Sequence, residues 1–184
     1  MAVNLSGRQI VQSDLVTVVA SVLNDWSLDP STLVLEITES VVMKDAQAAI
    51  VVLESLKALG VRLSIDDFGT GYSSLSYLQR FPVDILKIDR SFIDGLSDDP
   101  EDSAIVAATI GLAASLKLET VAEGVETAGQ LDQLISMRCT KAQGYYFARP
   151  EAAAGVDARL RSSRSAAPTR AGHSGVESIS RPVA

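Results

Sequence analysis

Short apolar runs alternate along the chain with longer stretches in which apolar residues recur every three or four positions. This alternation predicts a parallel sheet whose strands are joined by crossover helices. The runs fall at residues 2–5, 33–37, 61–65, 83–88, 119–122 and 142–147. Between them, Leu15, Val18, Val19, Val22 and Leu23 share one face of a helix that Ser13 is placed to cap. Ala46, Ala49, Ile50, Leu53, Leu56 and Leu59 form a second such face, stopped by Gly60. The acids around Pro100 start a third helix, carrying Ile105, Val106, Thr109, Ile110, Ala113 and Leu116. Thr127 caps a fourth, with Leu131, Leu134 and Ile135 inward, and a short helix is expected at 73–78. The fold class is therefore α/β, a TIM-like (β/α) barrel with about six of its eight βα units. The first run begins at residue 2, so the chain is expected to open inside a domain whose first part is absent. Residues 1–157 form this partial domain. Residues 158–184, rich in Ser, Ala and Arg, are expected to be a disordered basic tail.

Composition narrows the class. Hydrophobic residues make up 47% of the 184, which suits buried strands and excludes a wholly disordered chain. No apolar stretch has the length of a membrane span, and the N-terminus lacks the pattern of a secretory signal. The single cysteine, Cys139, cannot form an internal disulfide, so a reducing cytoplasm is the simplest compartment, although a longer parent chain could be tethered to a membrane. The net charge of -7 is uneven: five arginines and one acid in the tail leave the remainder at -11. Such a body is not expected to bind DNA or RNA through a basic surface; a polyanion would need cations as intermediaries.

The chemistry lies where each apolar run ends. Asn4, Glu36, Asp66 with Asp67, Lys87, Glu123 and Gln143 all fall at strand ends, and in a parallel barrel those ends meet on one face. Several carboxylates around one cavity repel one another, and divalent cations relieve that repulsion. An all-oxygen set without cysteine or histidine favours Mg²⁺ or Mn²⁺ over Zn²⁺. Glu36 and Lys87 each place a charge inside a buried strand, which argues for a partner or a function. Singly, Asp66 and Asn4 also read as turn residues or caps, and Gln143 alone carries the least signal. Lys87 alone also reads as a structural ion pair with a neighbouring acid or as a Schiff-base aldolase lysine, and the surrounding acids, which should keep it protonated, disfavour the latter.

Together these segments resemble the EAL domain family. The resemblance rests on Val3-Asn4-Leu5-Ser6, Leu35-Glu36-Ile37-Thr38-Glu39-Ser40, Asp66-Asp67-Phe68-Gly69-Thr70-Gly71-Tyr72-Ser73-Ser74-Leu75, Leu86-Lys87-Ile88-Asp89, Thr120-Val121-Ala122-Glu123-Gly124-Val125-Glu126-Thr127 and Gln143-Gly144-Tyr145-Tyr146-Phe147. It implies a (β/α)8-like barrel that hydrolyses cyclic-di-GMP to linear pGpG by water attack assisted by two Mg²⁺ or Mn²⁺ ions, in bacterial second-messenger signalling. It further implies Asn4, Glu36 and Asp66 as ligands of a first metal, and Asp67 as a ligand bridging to or holding a second. Lys87 is implied to orient and activate water, and Glu123 and Gln143 to line the metal and water site. Glu39 is implied to steady the loop 67–74, and Glu126 to contact the guanine end of the substrate or support the site. The same loop implies a homodimer contact.

The Glu-Ala-Leu tripeptide that gives the family its name is absent, along with the arginine that follows it and contacts a substrate phosphate. Little activity is therefore expected of this chain. The alternative is an inactive EAL-like module that binds cyclic-di-GMP or a protein partner. Thr140 stands where an aspartate is common, a minor departure.

Overall fold

Six strands follow one another in both sequence and space, each joined to the next by a helical crossover. In this computed structural model, residues 1–71, 75–96, 99–152 and 155–156 are described, with the backbone of 177–178. The order begins β1 (Ala2–Asn4), α1 (Gly7–Ile10), α2 (Leu15–Asp25), a 3₁₀ turn (Pro30–Thr32), β2 (Val34–Thr38), α3 (Glu39–Lys44), α4 (Ala46–Ala58) and β3 (Arg62–Phe68). It continues with α5 (Leu75–Leu78), β4 (Ile85–Ile88), α6 (Arg90–Asp94), α7 (Pro100–Ser115), β5 (Glu119–Ala122), α8 (Ala128–Ser136) and β6 (Lys141–Ala142). All five pairings from β1 to β6 are parallel. The result is a TIM-like barrel left incomplete, as the apolar pattern predicts. A two-residue β7 (Glu177–Ser178) pairs antiparallel with β6. Otherwise the 158–184 tail lies outside the described residues, as do residues 72–74 of the expected dimer loop.

The sheet's helix-facing side is apolar. Leu35, Ile37, Leu63, Ile65 and Leu86 are buried there with Val42, Leu53 and Leu56 of α3 and α4. A second apolar cluster joins Ile88 and Ala122 to Ile93, Val106, Ile110 and Leu134 of α6, α7 and α8. Local sequence sets the element ends. Asp99 caps α7 by accepting from Glu101 N at 2.8 Å, and Thr127 forms a reciprocal capping box with Gln130. Gly60, with φ of +91°, ends α4 in a conformation that an L side chain strains to adopt.

Three details differ from the sequence pattern. Asp14, not Ser13, occupies the N-cap position of α2, and it makes no side-chain cap bond. The last strand stops at Ala142, because the chain turns at Gly144 so that Tyr146 N bonds to Val125 O at 2.9 Å. On α2, Leu15 and Leu23 are buried but Val18 is 52% and Val22 46% exposed. The apolar stripe is wider than the contact that the described residues offer it.

At the opposite end from the strand C-termini, Glu119 of β5 links three strands. Arg62 of β3 lies 2.8 Å from its Oε1 and Lys141 of β6 lies 2.6 Å from its Oε2. Burial alone would raise the Glu119 pKa, but the Lys141 hydrogen bond and the charges of Arg62 and Lys141 hold it below the ordinary value. A lowered carboxylate pKa stabilises the fold above the ordinary value and loses that contribution as pH falls through the lowered one. Glu119→Gln should cost about 1 kcal/mol near neutral pH, as expected for half-exposed pairs. In urea unfolding curves, the gap from the unsubstituted chain should close below about pH 4.

Candidate functional site

Strand register brings the polar strand-end residues to one face. Side chains alternate along a strand, and pairing carries that alternation from one strand to the next. Asn4 pairs with Glu36, Glu36 with Ser64, and Ser64 with Ile85, so Lys87 lies on their side. Lys87 pairs with Val121, and Val121 with Lys141. The same alternation continues to Glu123, whose N–H donates to Ile88 O at 3.1 Å, and to Gln143, whose N–H donates to Ala122 O at 2.8 Å. The helix-facing side takes Leu35, Ile37, Leu63 and Ile65; the other takes Asn4, Glu36, Asp66, Lys87, Glu123 and Gln143.

By strict alternation, Asp67 would point away from Asp66. It does not, because β3 carries a bulge. Ile65 pairs with Leu86 but Phe68 with Ile88, so one extra residue is accommodated on β3. Asp67 takes φ of +54° there, in the left-handed region. The bulge re-aims its side chain, and single oxygens of Asp66, Asp67 and Glu123 lie within 4.8 Å of one another.

Lys87 stands among these acids. Its Nζ lies 2.6 Å from Glu123 Oε1, 2.9 Å from Asp66 Oδ1 and 3.1 Å from Glu36 Oε2. Burial alone would lower the lysine's pKa, but the hydrogen bonds to Glu123 and Asp66 outweigh it and hold the ammonium charged well above its ordinary range. A permanently protonated amine is a poor nucleophile, which counts against Schiff-base chemistry. Burial pushes the Glu123 carboxyl up, against the pull of Lys87. Asp67 is also raised, first by burial and then by the neighbouring charges of Asp66 and Asp89.

Around this centre, Gln143 Nε2 donates to Glu123 Oε1 at 2.5 Å. Glu39 is almost fully buried, and its Oε2 accepts from Gly69 N at 3.0 Å, just past the bulge. Glu126 stands farther out on the β5–α8 loop, with Arg90 Nη2 at 2.9 Å. Asn4 ends the exposed edge strand β1, in register with Glu36. Asp89 was not singled out from sequence as a site residue. Its carboxylate accepts from Ser91 N at 3.0 Å to cap α6, and its charge lies near enough to help raise the Asp67 carboxyl. Its position after the Leu86-Lys87-Ile88 run was the available signal.

The donor set fits a hard divalent cation. Its ligand atoms are carboxylate oxygens, partly buried and within a few ångströms of one another, and Lys87 alone does not balance Glu36, Asp66, Asp67 and Glu123. No helix among the described residues is long and apolar enough to cross a membrane.

Comparison with known proteins follows the same lines. The EAL domain family model matches residues 1–150. The chain is 52% identical over 150 residues to the bifunctional diguanylate cyclase/cyclic di-GMP phosphodiesterase MucR of Pseudomonas aeruginosa, covering 82% of this chain and 22% of that protein. Among solved structures, it is similar to the PaMucR phosphodiesterase in complex with c-di-GMP, at 51% identity and a TM-score of 0.82, covering 84% of this chain and 63% of that one. It is also similar to Klebsiella pneumoniae BlrP1 in a calcium/cy-diGMP complex at pH 8.0, at 35% identity and a TM-score of 0.75, covering 81% and 38%. The chain thus spans about a fifth of the curated relative's length and less than two thirds of the PaMucR structure.

Two outcomes are expected of this centre. A cation must displace the protons that raised pKa values favour on Asp67 and Glu123. Mn²⁺ affinity, measured calorimetrically, should therefore climb as pH rises from the ordinary carboxylate range near 4 to neutrality. Asp67→Gly relieves a left-handed backbone worth about 1 kcal/mol while deleting one carboxylate of the cluster. That variant should melt higher than the unsubstituted chain in EDTA, yet gain less stability from added Mn²⁺.

Proposed function

The chain belongs to the EAL domain family, and from that membership we propose that its acidic mouth binds divalent cations and cyclic-di-GMP for phosphodiester hydrolysis to linear pGpG. The observation that carries this reading is the convergence of Glu36, Asp66, Asp67, Lys87 and Glu123 from four strands into one cluster. In this reading Asn4, Glu36 and Asp66 hold one Mg²⁺ or Mn²⁺, while Asp67, helped by Asp89, holds another. Bound there, the ions supply Lewis-acid polarisation of the phosphodiester and make a water acidic enough to react near neutral pH.

The chain's own residues do the rest. Lys87, fixed by its carboxylate partners, aims a permanent positive charge at the place where phosphoryl oxygens gain negative charge. Glu123, buried and raised in pKa, is suited to take or hold a proton from the attacking water. Gln143 orients Glu123, and Glu39 anchors the backbone after the Asp66–Asp67 bulge at Gly69. Glu126, on the rim, is placed to accept hydrogen bonds from a guanine edge. A homodimer through the 67–74 loop and a cytoplasmic setting accompany this reading.

One observation favours a second reading, a module that binds the dinucleotide without hydrolysing it. All three residues of β1, including Asn4, are exposed at the sheet edge, and the Glu-Ala-Leu ligand is absent from the sequence. Within these 184 residues the first ion has only Asn4, Glu36 and Asp66 to hold it.

A single-turnover assay with excess purified chain tests both. We expect cyclic-di-GMP binding that requires Mn²⁺ or Mg²⁺, slow release of pGpG with those ions, none with Ca²⁺, and loss of both binding and turnover in EDTA. Lys87→Ala should keep Mn²⁺ binding and abolish turnover. Hydrolysis that survives EDTA would overturn the metal-assisted reading, and nucleotide binding without any turnover selects the second one.

A further inference from the structure

Arg90 joins two sides of the mouth. It follows Asp89, which caps α6 and whose charge bears on Asp67. Its aliphatic stem crosses Gly124, the residue after Glu123, so closely that a Cβ at Gly124 would meet Arg90 Cγ at 2.4 Å. Gly124 has φ of +74°, a second reason that glycine suits this place. Beyond it the guanidinium forks: Nη2 donates to Glu126 Oε1 at 2.9 Å, and Nε donates to Asp94 Oδ2 at 3.1 Å. The Arg90 side chain is 51% and that of Glu126 41% exposed, so these pairs add little to folding stability. What they fix is position. The loop backbone is already tied at Glu123 by Ile88 O, at Val125 by Gln143 O and Tyr146 N, and at Glu126 and Thr127 by Gln130 Oε1, so the Arg90 contact bears on the Glu126 side chain.

We propose that Arg90 is a positioning residue for nucleotide recognition: by spanning Gly124 and gripping one oxygen of Glu126, it holds the Glu126 carboxylate in the place that receives the dinucleotide. The inference rests on the function proposed above. It assigns Arg90 no contact with reacting atoms and no part in holding cations. An ionised Glu126 with one oxygen engaged keeps the other as a pure acceptor, which suits a base edge offering donors. Lysine cannot reproduce this, because an ammonium lacks the planar fork that reaches Asp94 and Glu126 together.

The test is calorimetric titration of cyclic-di-GMP, with Ca²⁺ present, into the unsubstituted chain, R90A, R90K, E126A and the R90A/E126A double variant. R90A and R90K should each weaken nucleotide binding about three- to fivefold, the range of one half-exposed ion pair. R90A/E126A should bind no more weakly than E126A alone, since Arg90 acts through Glu126. Mn²⁺ affinity without nucleotide should stay within about twofold, because the cation ligands are untouched. Unchanged nucleotide binding in R90A, additive losses in the double variant, or a parallel fall in Mn²⁺ affinity each overturn the assignment. Failure of the unsubstituted chain to bind nucleotide at all removes the functional reading and this inference with it. Intact binding in R90A removes this inference alone.

Discussion

An ammonium group shared by carboxylates from three other strands organises the mouth of this half-barrel. Lys87 meets Glu36 from β2, Asp66 from β3 and Glu123 at the end of β5, all within 3.1 Å. Leaving that many acids unpaired and partly buried would be costly, and one lysine offsets only part of their charge. The remainder makes the site receptive to cations. The same ammonium, locked in its protonated form, is a fixed electrostatic feature rather than a titrating one.

The bulge in β3 is the second device. A regular strand would turn Asp66 and Asp67 to opposite faces, and Asp67 would then enter the apolar layer beside Ile65. One extra residue and one left-handed backbone angle bring both carboxylates to the mouth. Glu39, from the start of α3, secures the chain just beyond by accepting from Gly69. Local backbone strain there is offset by packing and hydrogen bonds contributed from elsewhere, a common arrangement at binding sites.

Much of this was legible in the residue order. Apolar runs marked the six strands, although the last is only two residues long because the turn at Gly144 is held by Val125. Charges inside apolar strands marked Glu36 and Lys87, since water-free surroundings tolerate them only with partners. Asp89 was harder to read: an aspartate before a helix is ordinarily a cap, and here it both caps α6 and faces Asp67. Arg90 was illegible, because half-exposed arginines are common and nothing local indicates that its stem crosses Gly124. The exposure of Val18 and Val22 was also hidden, as periodicity reports which residues share a face and not whether anything covers it.

By itself the order of residues determined the parallel αβ alternation, the strand-end position of every candidate ligand and the acidic character of the body. Those follow from short-range rules: side-chain period, capping and charge. Only the tertiary structure decided which acids meet, that Asp67 joins Asp66 rather than opposing it, and that Arg90 binds the rim together. Each of these depends on the register between strands and on contacts between residues distant in the chain, and no local pattern encodes the distance between them.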